Sequence, residues 1–289
     1  MNYAVTGGTG HLGSEILQAL TKFVDNSDVK VGVHTLKKAQ GLIDAGYRCQ
    51  EFDFFKDSLN SLLKDVDVFI YVPSKSHDSF SRVTEFEKVI EACEKAQVKH
   101  VLAMGFIADQ VNNPFDLSAF YGYLPRRLAE SDLHYTIIRN ALYADPLVPY
   151  LPELIERKHV IYPMADQALS FISLHDSAEA FAKVATSDDL RVDGKIYTLT
   201  QNRNYTMEQL SEILSEVADS EITYQPMDPT EFENTYDQNG EGHMLSSMYA
   251  GGALGLLNEV SSDYRDIMGH DPVSLKDFLQ ENYSTKERN

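Results

Sequence analysis

The chain opens with an apolar run, Tyr3-Ala4-Val5, breaks at Thr6-Gly7-Gly8-Thr9-Gly10-His11-Leu12-Gly13, and resumes with Ile16, Leu17, Leu20, Phe23 and Val24 at the spacing of one buried helix face. The order reads as strand, glycine turn, helix. A second strand over 29–34, a helix over 37–45, a third strand over 47–52 and a short helix over 59–63 follow. Residues 67–72 are nearly all apolar, as a strand buried on both faces of a parallel sheet must be. A helix over 80–96 carries Val83, Phe86, Val89, Ile90 and Cys93 on one stripe, and a strand over 98–104, a helix over 124–131 and a strand over 135–139 complete the series. Such alternation predicts an α/β fold: a Rossmann-like, doubly wound parallel sheet with its ligand beyond the carboxyl ends of the strands.

Past Asn140 the prolines at 146, 149, 152 and 163 break this rhythm. The pattern divides the chain into a core over 1–140, to which 165–200 returns, and a smaller interleaved α/β lobe over 141–164 and 201–289. Ser173-Leu174-His175-Asp176 and Thr206-Met207-Glu208-Gln209 have the form of capping boxes, which accounts for His175 and Asp176 without an acid–base role. Asp228-Pro229 opens another helix, with proline where its missing N–H costs nothing. The glycine-containing stretch 243–257 reads as helix or flexible lobe, and Ser274 begins the last helix.

The chemistry of the opening turn follows from its backbone. A helix N-terminus presents unpaired N–H groups and the positive end of the helix dipole, and glycines let a pyrophosphate approach them. Gly7, Gly10 and Gly13 have the spacing of a dinucleotide fingerprint, and their place at the first strand of an alternating chain predicts cofactor binding.

Charge sharpens this. Among 289 residues, 25 Lys and Arg face 44 Asp and Glu, a formal net charge of −19, which disfavours nucleic acid and anionic membrane surfaces. An anionic cofactor must therefore be held by local positive groups. The end of the second strand reads Val33-His34-Thr35-Leu36-Lys37-Lys38, without the carboxylate that bonds the ribose 2′-hydroxyl in NAD enzymes. His34, Lys37 and Lys38 would attract a 2′-phosphate, so NADP(H) is the preferred cofactor and NAD(H) the alternative. The competing reading of the two lysines is a solvated helix face. No apolar run reaches the length of a membrane span and the first strand starts at Asn2, so a cytoplasmic protein is expected. Cys49 and Cys93 lie in apolar stretches and read as buried thiols rather than metal or disulfide partners; no metal site is expected.

Three stretches carry a family resemblance: Gly7-Gly8-Thr9-Gly10-His11-Leu12-Gly13, Tyr135-Thr136-Ile137-Ile138-Arg139-Asn140 and Phe171-Ile172-Ser173-Leu174-His175-Asp176-Ser177-Ala178. Together they resemble the NmrA-like branch of the atypical short-chain dehydrogenases, within it most of all the NAD(P)H-dependent quinone oxidoreductases and triphenylmethane reductases. The likeness runs over nearly the whole chain. It implies that Thr9, Gly10, His11 and Leu12 wrap the pyrophosphate, that Asp53 and Phe54 lie near the adenine, and that Val72, Pro73 and Ser74 line the ribose crevice. It further implies that Asn140 to Tyr143 face the nicotinamide or substrate.

Catalytic residues depart from the pattern. Short-chain dehydrogenases use a serine and a Tyr-x-x-x-Lys, in which the lysine lowers the tyrosine pKa. Here the strand end that should offer the serine reads Met104-Gly105-Phe106. Met104 and Gly105 are assigned to the cofactor crevice and Phe106 to a substrate pocket with Tyr121, Asn140 and Tyr143. No Tyr-x-x-x-Lys follows; the nearest set is Tyr121, Tyr123 and Arg127, with Pro125 read as the first turn of the helix and both tyrosines at its mouth. Tyr121 and Tyr123 are the catalytic candidates, and aromatic lining of a pocket wall is the competing reading for both.

These features predict an NADPH-dependent reductase of a quinone-like or other electron-poor aromatic by direct hydride transfer, since a quinone can take its second proton from water. A catalytically weak NADP(H)-sensing regulator with a protein partner is the alternative. A nucleotide-sugar epimerase-like enzyme, which needs a base at an alcohol carbon, comes third. A monomer or homodimer fits either.

Overall fold

The computed structural model describes residues 1–56, 59–237 and 240–286. In chain order the first elements are β1 (Tyr3–Thr6), α1 (His11–Leu20), β2 (Val29–Val33), α2 (Gln40–Asp44), β3 (Arg48–Glu51), α3 (Asn60–Leu63), β4 (Val68–Tyr71), α4 (Ser79–Ala96), β5 (His100–Phe106), α5 (Ser118–Glu130) and β6 (Tyr135–Asn140). There follow β7 (Leu142–Tyr143), α6 (Leu147–Arg157), β8 (His159–Val160), β9 (Ala168–Ile172), α7 (Leu174–Thr186), β10 (Lys195–Leu199), β11 (Asn204–Thr206), α8 (Met207–Ala218), β12 (Thr223–Tyr224), α9 (Pro229–Thr235), α10 (Gly242–Ala253), α11 (Asp263–Met268) and α12 (Leu275–Lys286).

Seven strands form one sheet in the order β10-β6-β5-β4-β1-β2-β3. β1 pairs in parallel with β2 on one side, Val5 opposite Val31, and with β4 on the other, Val5 opposite Ile70. The chain order reverses at β1, so the crevice of a doubly wound sheet opens beyond the ends of β1 and β4. Thr6 ties those two ends together: its hydroxyl donates to the Val72 carbonyl at 2.9 Å and accepts from the Val72 amide at 3.0 Å. All of β1 and β4 is buried, as the continuous apolar runs require. Ile16, Leu17 and Leu20 of α1 are at most 1% exposed, each burial contributing about 2 kcal/mol.

The chain forms two compact units. The first comprises residues 1–105, 120–139 and 174–197; the second, 106–119, 140–173 and 198–289. In the first, α7 returns to pack on α1, where Lys22 pairs with Glu179 and His175 approaches Glu15 at 3.5 Å. The strand β9 does not return with it: Leu142 of β7 and Phe171 pair in parallel, and Ser170 pairs with Asn204 of β11 in an antiparallel ladder. The second unit also takes in 106–119 and amounts to nearly half of the chain. Its helices start where the sequence signals them: Thr206 and Gln209 form a complete capping box on α8, and Asp228 accepts from the Thr230 and Glu231 amides ahead of Pro229.

Several local expectations are corrected. α1 stops at Leu20, so Phe23 is 44% exposed rather than on the buried face. Val83 is half-buried; the buried stripe of α4 runs instead through Arg82, Glu85, Phe86, Val89, Ile90 and Cys93. Cys93 is buried and its thiol pKa pushed up by that burial, but Cys49 is only half-buried; both are free. The stretch 243–257 contains the helix α10, and its glycines serve packing: a Cβ on Gly251 would come within 2.4 Å of Asn113 Oδ1. Among the described residues no helix is long and apolar enough to cross a membrane, and no His, Cys, Asp and Glu cluster is arranged to hold a metal ion.

Candidate cofactor and substrate site

The glycine turn is determined by its backbone. Gly7 takes φ +68°, which an L side chain rarely adopts, and its carbonyl accepts the Gly10 amide at 2.8 Å. A Cβ on Gly13 would lie 2.1 Å from the Gly7 oxygen, so only glycine lets α1 start this close to β1. Gly10 is the N-cap and no side chain caps it; the first turn of α1 contains no acidic residue although the chain as a whole is strongly acidic. The free amides of this turn and the dipole of a ten-residue helix therefore face outward unopposed. Thr9 and His11 are exposed at the rim, while Leu12 is buried and holds the turn to the core.

The end of β2 lies beside the end of β3. His34 Nε2 stands 3.7 Å from Asp53 Oδ2, and the His34 ring is 3.4 Å from the Thr35 hydroxyl. Asp53 accepts from the Phe55 amide at 2.9 Å and from Lys56 Nζ at 3.0 Å, and these bonds hold its carboxyl below the usual range. Glu51 Oε2 accepts the Leu36 amide at 3.0 Å and so fixes the start of the turn that carries Lys37 and Lys38. Both lysines are exposed and form no ion pair among the described residues. Phe54 packs edge-on against Phe52 at 4.7 Å and Tyr71 at 6.1 Å. Structure thus brings His34, Thr35, Asp53 and the lysine turn together at one end of the sheet, with Val72, Pro73 and Ser74 half-buried at the β1–β4 junction.

At the end of β5, Met104 is half-buried and Gly105 buried, a Cβ there meeting Ile137 at 3.0 Å. Gly105 is thus a point of close strand approach. In the second unit Phe106 meets Phe115 at 5.8 Å, and the fully buried Asn140 donates to the Tyr143 hydroxyl at 3.2 Å.

The helix that carries the catalytic candidates departs most from the expected start. α5 begins at Ser118 and contains Pro125, so Tyr121 and Tyr123 lie along the helix and not at its mouth. Proline removes one intrahelical bond without ending the helix, and Arg126 Nη1 donates to the Gly122 carbonyl at 2.5 Å within that turn. Tyr121 is buried, with its ring 5.1 Å from that of Phe120. Tyr123 donates to the Glu87 carboxylate on α4, and Arg127 Nε spans the same carboxylate at 3.0 and 3.1 Å. Instead of facing a phenolate, Arg127 is spent on Glu87. Burial and the Glu87 hydrogen bond raise the Tyr123 pKa, the reverse of what a paired lysine does. Sequence periodicity did not single out Glu87, Glu85 or Arg82; the one signal was acidic and basic residues set within the apolar stripe of α4.

Residues 7–186 match the family model described as NAD(P)H-binding. The chain is 37% identical to the structure of a nucleoside-diphosphate-sugar epimerase from Staphylococcus aureus, covering 97% of this chain and all of that one with a TM-score of 0.92. It is 25% identical to the triphenylmethane reductase of Citrobacter sp. complexed with NADP(H), over 98% and 100% of the two chains, with a TM-score of 0.89. Quinone oxidoreductase 2 of Escherichia coli is 26% identical over 282 residues, 96% of each chain, and its NADPH complex superposes with a TM-score of 0.87 over 99% of each. The chain belongs to the NAD(P)H-binding family, and the resemblance of its motifs to the NmrA-like reductases extends over its whole length.

Proposed function

We propose that the protein is an NADPH-dependent reductase of quinone-like, electron-poor aromatics. The observation that carries this reading is the uncapped, acid-free start of α1 at the β1–β4 junction, next to a β2 end whose free charges are Lys37 and Lys38. Backbone amides at the glycine turn would hold the pyrophosphate and the lysine turn the 2′-phosphate. When bound, the nicotinamide supplies hydride at C4. Tyr121 lines the acceptor side of the site with its ring in this reading. Tyr123, hydrogen-bonded to Glu87, takes no part in proton transfer. A quinone needs none from a side chain, because its second proton can come from water. Its relatives include a quinone oxidoreductase and a triphenylmethane reductase, in agreement with this class of acceptor.

Steady-state NADPH oxidation against a quinone panel tests the reading; turnover above background with at least one acceptor is expected, and none with any acceptor overturns it. The engagement of Tyr123 with Glu87 also favours a second reading, an NADP(H)-sensing regulator with affinity but no turnover. A protein partner whose capture depends on NADPH, together with absent turnover, would select it. The epimerase named among the similar structures is a third reading, and conversion of a nucleoside-diphosphate sugar without external acceptor would select that. Among the described α5 residues no Tyr-x-x-x-Lys supplies its base.

A further inference from the structure

Beneath the loop that leads from β4 to α4 lie an acidic and a basic side chain that the functional reading does not use. Glu85 on α4 is 0% exposed. Its Oε1 accepts twice, from the Tyr71 hydroxyl at 2.6 Å and from the Ser74 amide at 3.0 Å, while its Oε2 has no hydrogen-bond partner among the described residues. One turn earlier on the same helix, Arg82 is 8% exposed, donates from Nε to the Ser76 carbonyl at 2.9 Å, and sets its guanidinium 5.8 Å from the centroid of the Phe120 ring. The acid therefore takes a backbone donor of the loop and the base takes a backbone acceptor two residues on. The loop is held at its ends as well, by Thr6 on Val72 and by Asp78, which caps α4 through the Ser81 amide at 2.7 Å.

A buried carboxylate with one oxygen left without a partner is costly, and apolar residues fill the neighbouring positions of this helix face, Phe86, Val89 and Ile90. The core gains nothing from a charge at this position; the loop gains a fixed main chain. We propose that Glu85 and Arg82 are positioning residues that hold the main chain of residues 74–76 in the shape that receives the cofactor ribose. This rests on the reading that Val72, Pro73 and Ser74 line the ribose crevice. The clamp acts on a part of the cofactor that NADPH and NADH share, so it sets affinity for both and discriminates between neither. Its action runs through the loop, and neither residue reaches the reacting atoms.

The test is cofactor binding by fluorescence titration on the full chain, with thermal unfolding measured alongside. In E85A the Kd for NADPH and for NADH rises about tenfold each, their ratio stays that of the wild type, and kcat at saturating NADPH changes less than about twofold. E85Q keeps the shape of the side chain but loses the charge assistance to two donors, so it raises both Kd values about threefold and carries the test if E85A does not fold. R82M removes the other half of the clamp and raises both by a similar factor. A folded E85A or E85Q that binds both cofactors like the wild type, with only the melting temperature lowered, reduces Glu85 to a structural residue and overturns the proposal. A Kd ratio that moves toward one cofactor contradicts it as well. A wild-type chain that binds neither cofactor overturns the functional reading itself, and the clamp with it.

Discussion

At the β1–α1 turn the outward-facing polar atoms are backbone amides, set by Gly7 at positive φ and by a Gly13 with no space for a Cβ. On the α4–α5 face the candidate chemistry is a side-chain hydroxyl, and its state is decided by Glu87, a residue some 36 positions away on another helix. The first region carries its geometry in adjacent residues, so its spacing in sequence is already its spacing in space. The second is assembled from two helices, and the matching spacing of Tyr123 and Arg127 gave no hint that a carboxylate would take both. A motif built of backbone can be read locally; a proton-transfer set built of side chains requires the neighbours.

Four variants break or sharpen this contrast, in falling order of effect. Gly13→Val forces a side chain onto the Gly7 carbonyl and should weaken NADPH binding about a hundredfold or more in a fluorescence titration; retained affinity would remove the backbone account of the turn. Lys37→Ala with Lys38→Ala should raise the NADPH Kd about tenfold and leave that of NADH nearly unchanged, because only the former carries a 2′-phosphate. An equal loss for both would assign the lysines to a solvated face.

Glu87→Ala removes the partner of Tyr123 and one of the two carboxylates on Arg127, which keeps Glu130, and should lower the urea unfolding free energy by about 1 kcal/mol, the modest figure reflecting a Glu87 side chain 42% exposed. Tyr123→Phe should be the smallest in its effect on turnover, with kcat within about twofold of wild type. Because burial and the Glu87 hydrogen bond raise the phenol above its ordinary value, Tyr123 stays protonated around neutral pH, so the pH profile of kcat there should be the same in wild type and variant. A limb that disappears in Tyr123→Phe would restore the phenol to catalysis.

The strand–helix alternation, the glycine turn, the cap at Thr206 and the proline start at Asp228 were all legible, since each depends on residues within a few positions of one another. The start of α5 was not: Pro125 reads as a helix beginning, while in the fold the helix passes through it from Ser118. The stretch with Gly251 reads as helix or flexible lobe; it is helix, and the absence of a Cβ at Gly251 lets α10 lie against Asn113. Glu85 and Arg82 were hidden because periodicity counts apolar residues, and the buried face of α4 includes an acid and a base. Of the candidate site, the conformation of the glycine turn could therefore be read from sequence, and the partners of Tyr123 and Arg127 could not.

The most direct test is a single-turnover experiment in which NADPH-loaded protein is mixed with a quinone and the loss of NADPH fluorescence is followed, for the wild type and for Tyr123→Phe. The account predicts quinone-dependent loss at the same rate in both. Absence of that loss in the wild type, or its disappearance only in Tyr123→Phe, would contradict it.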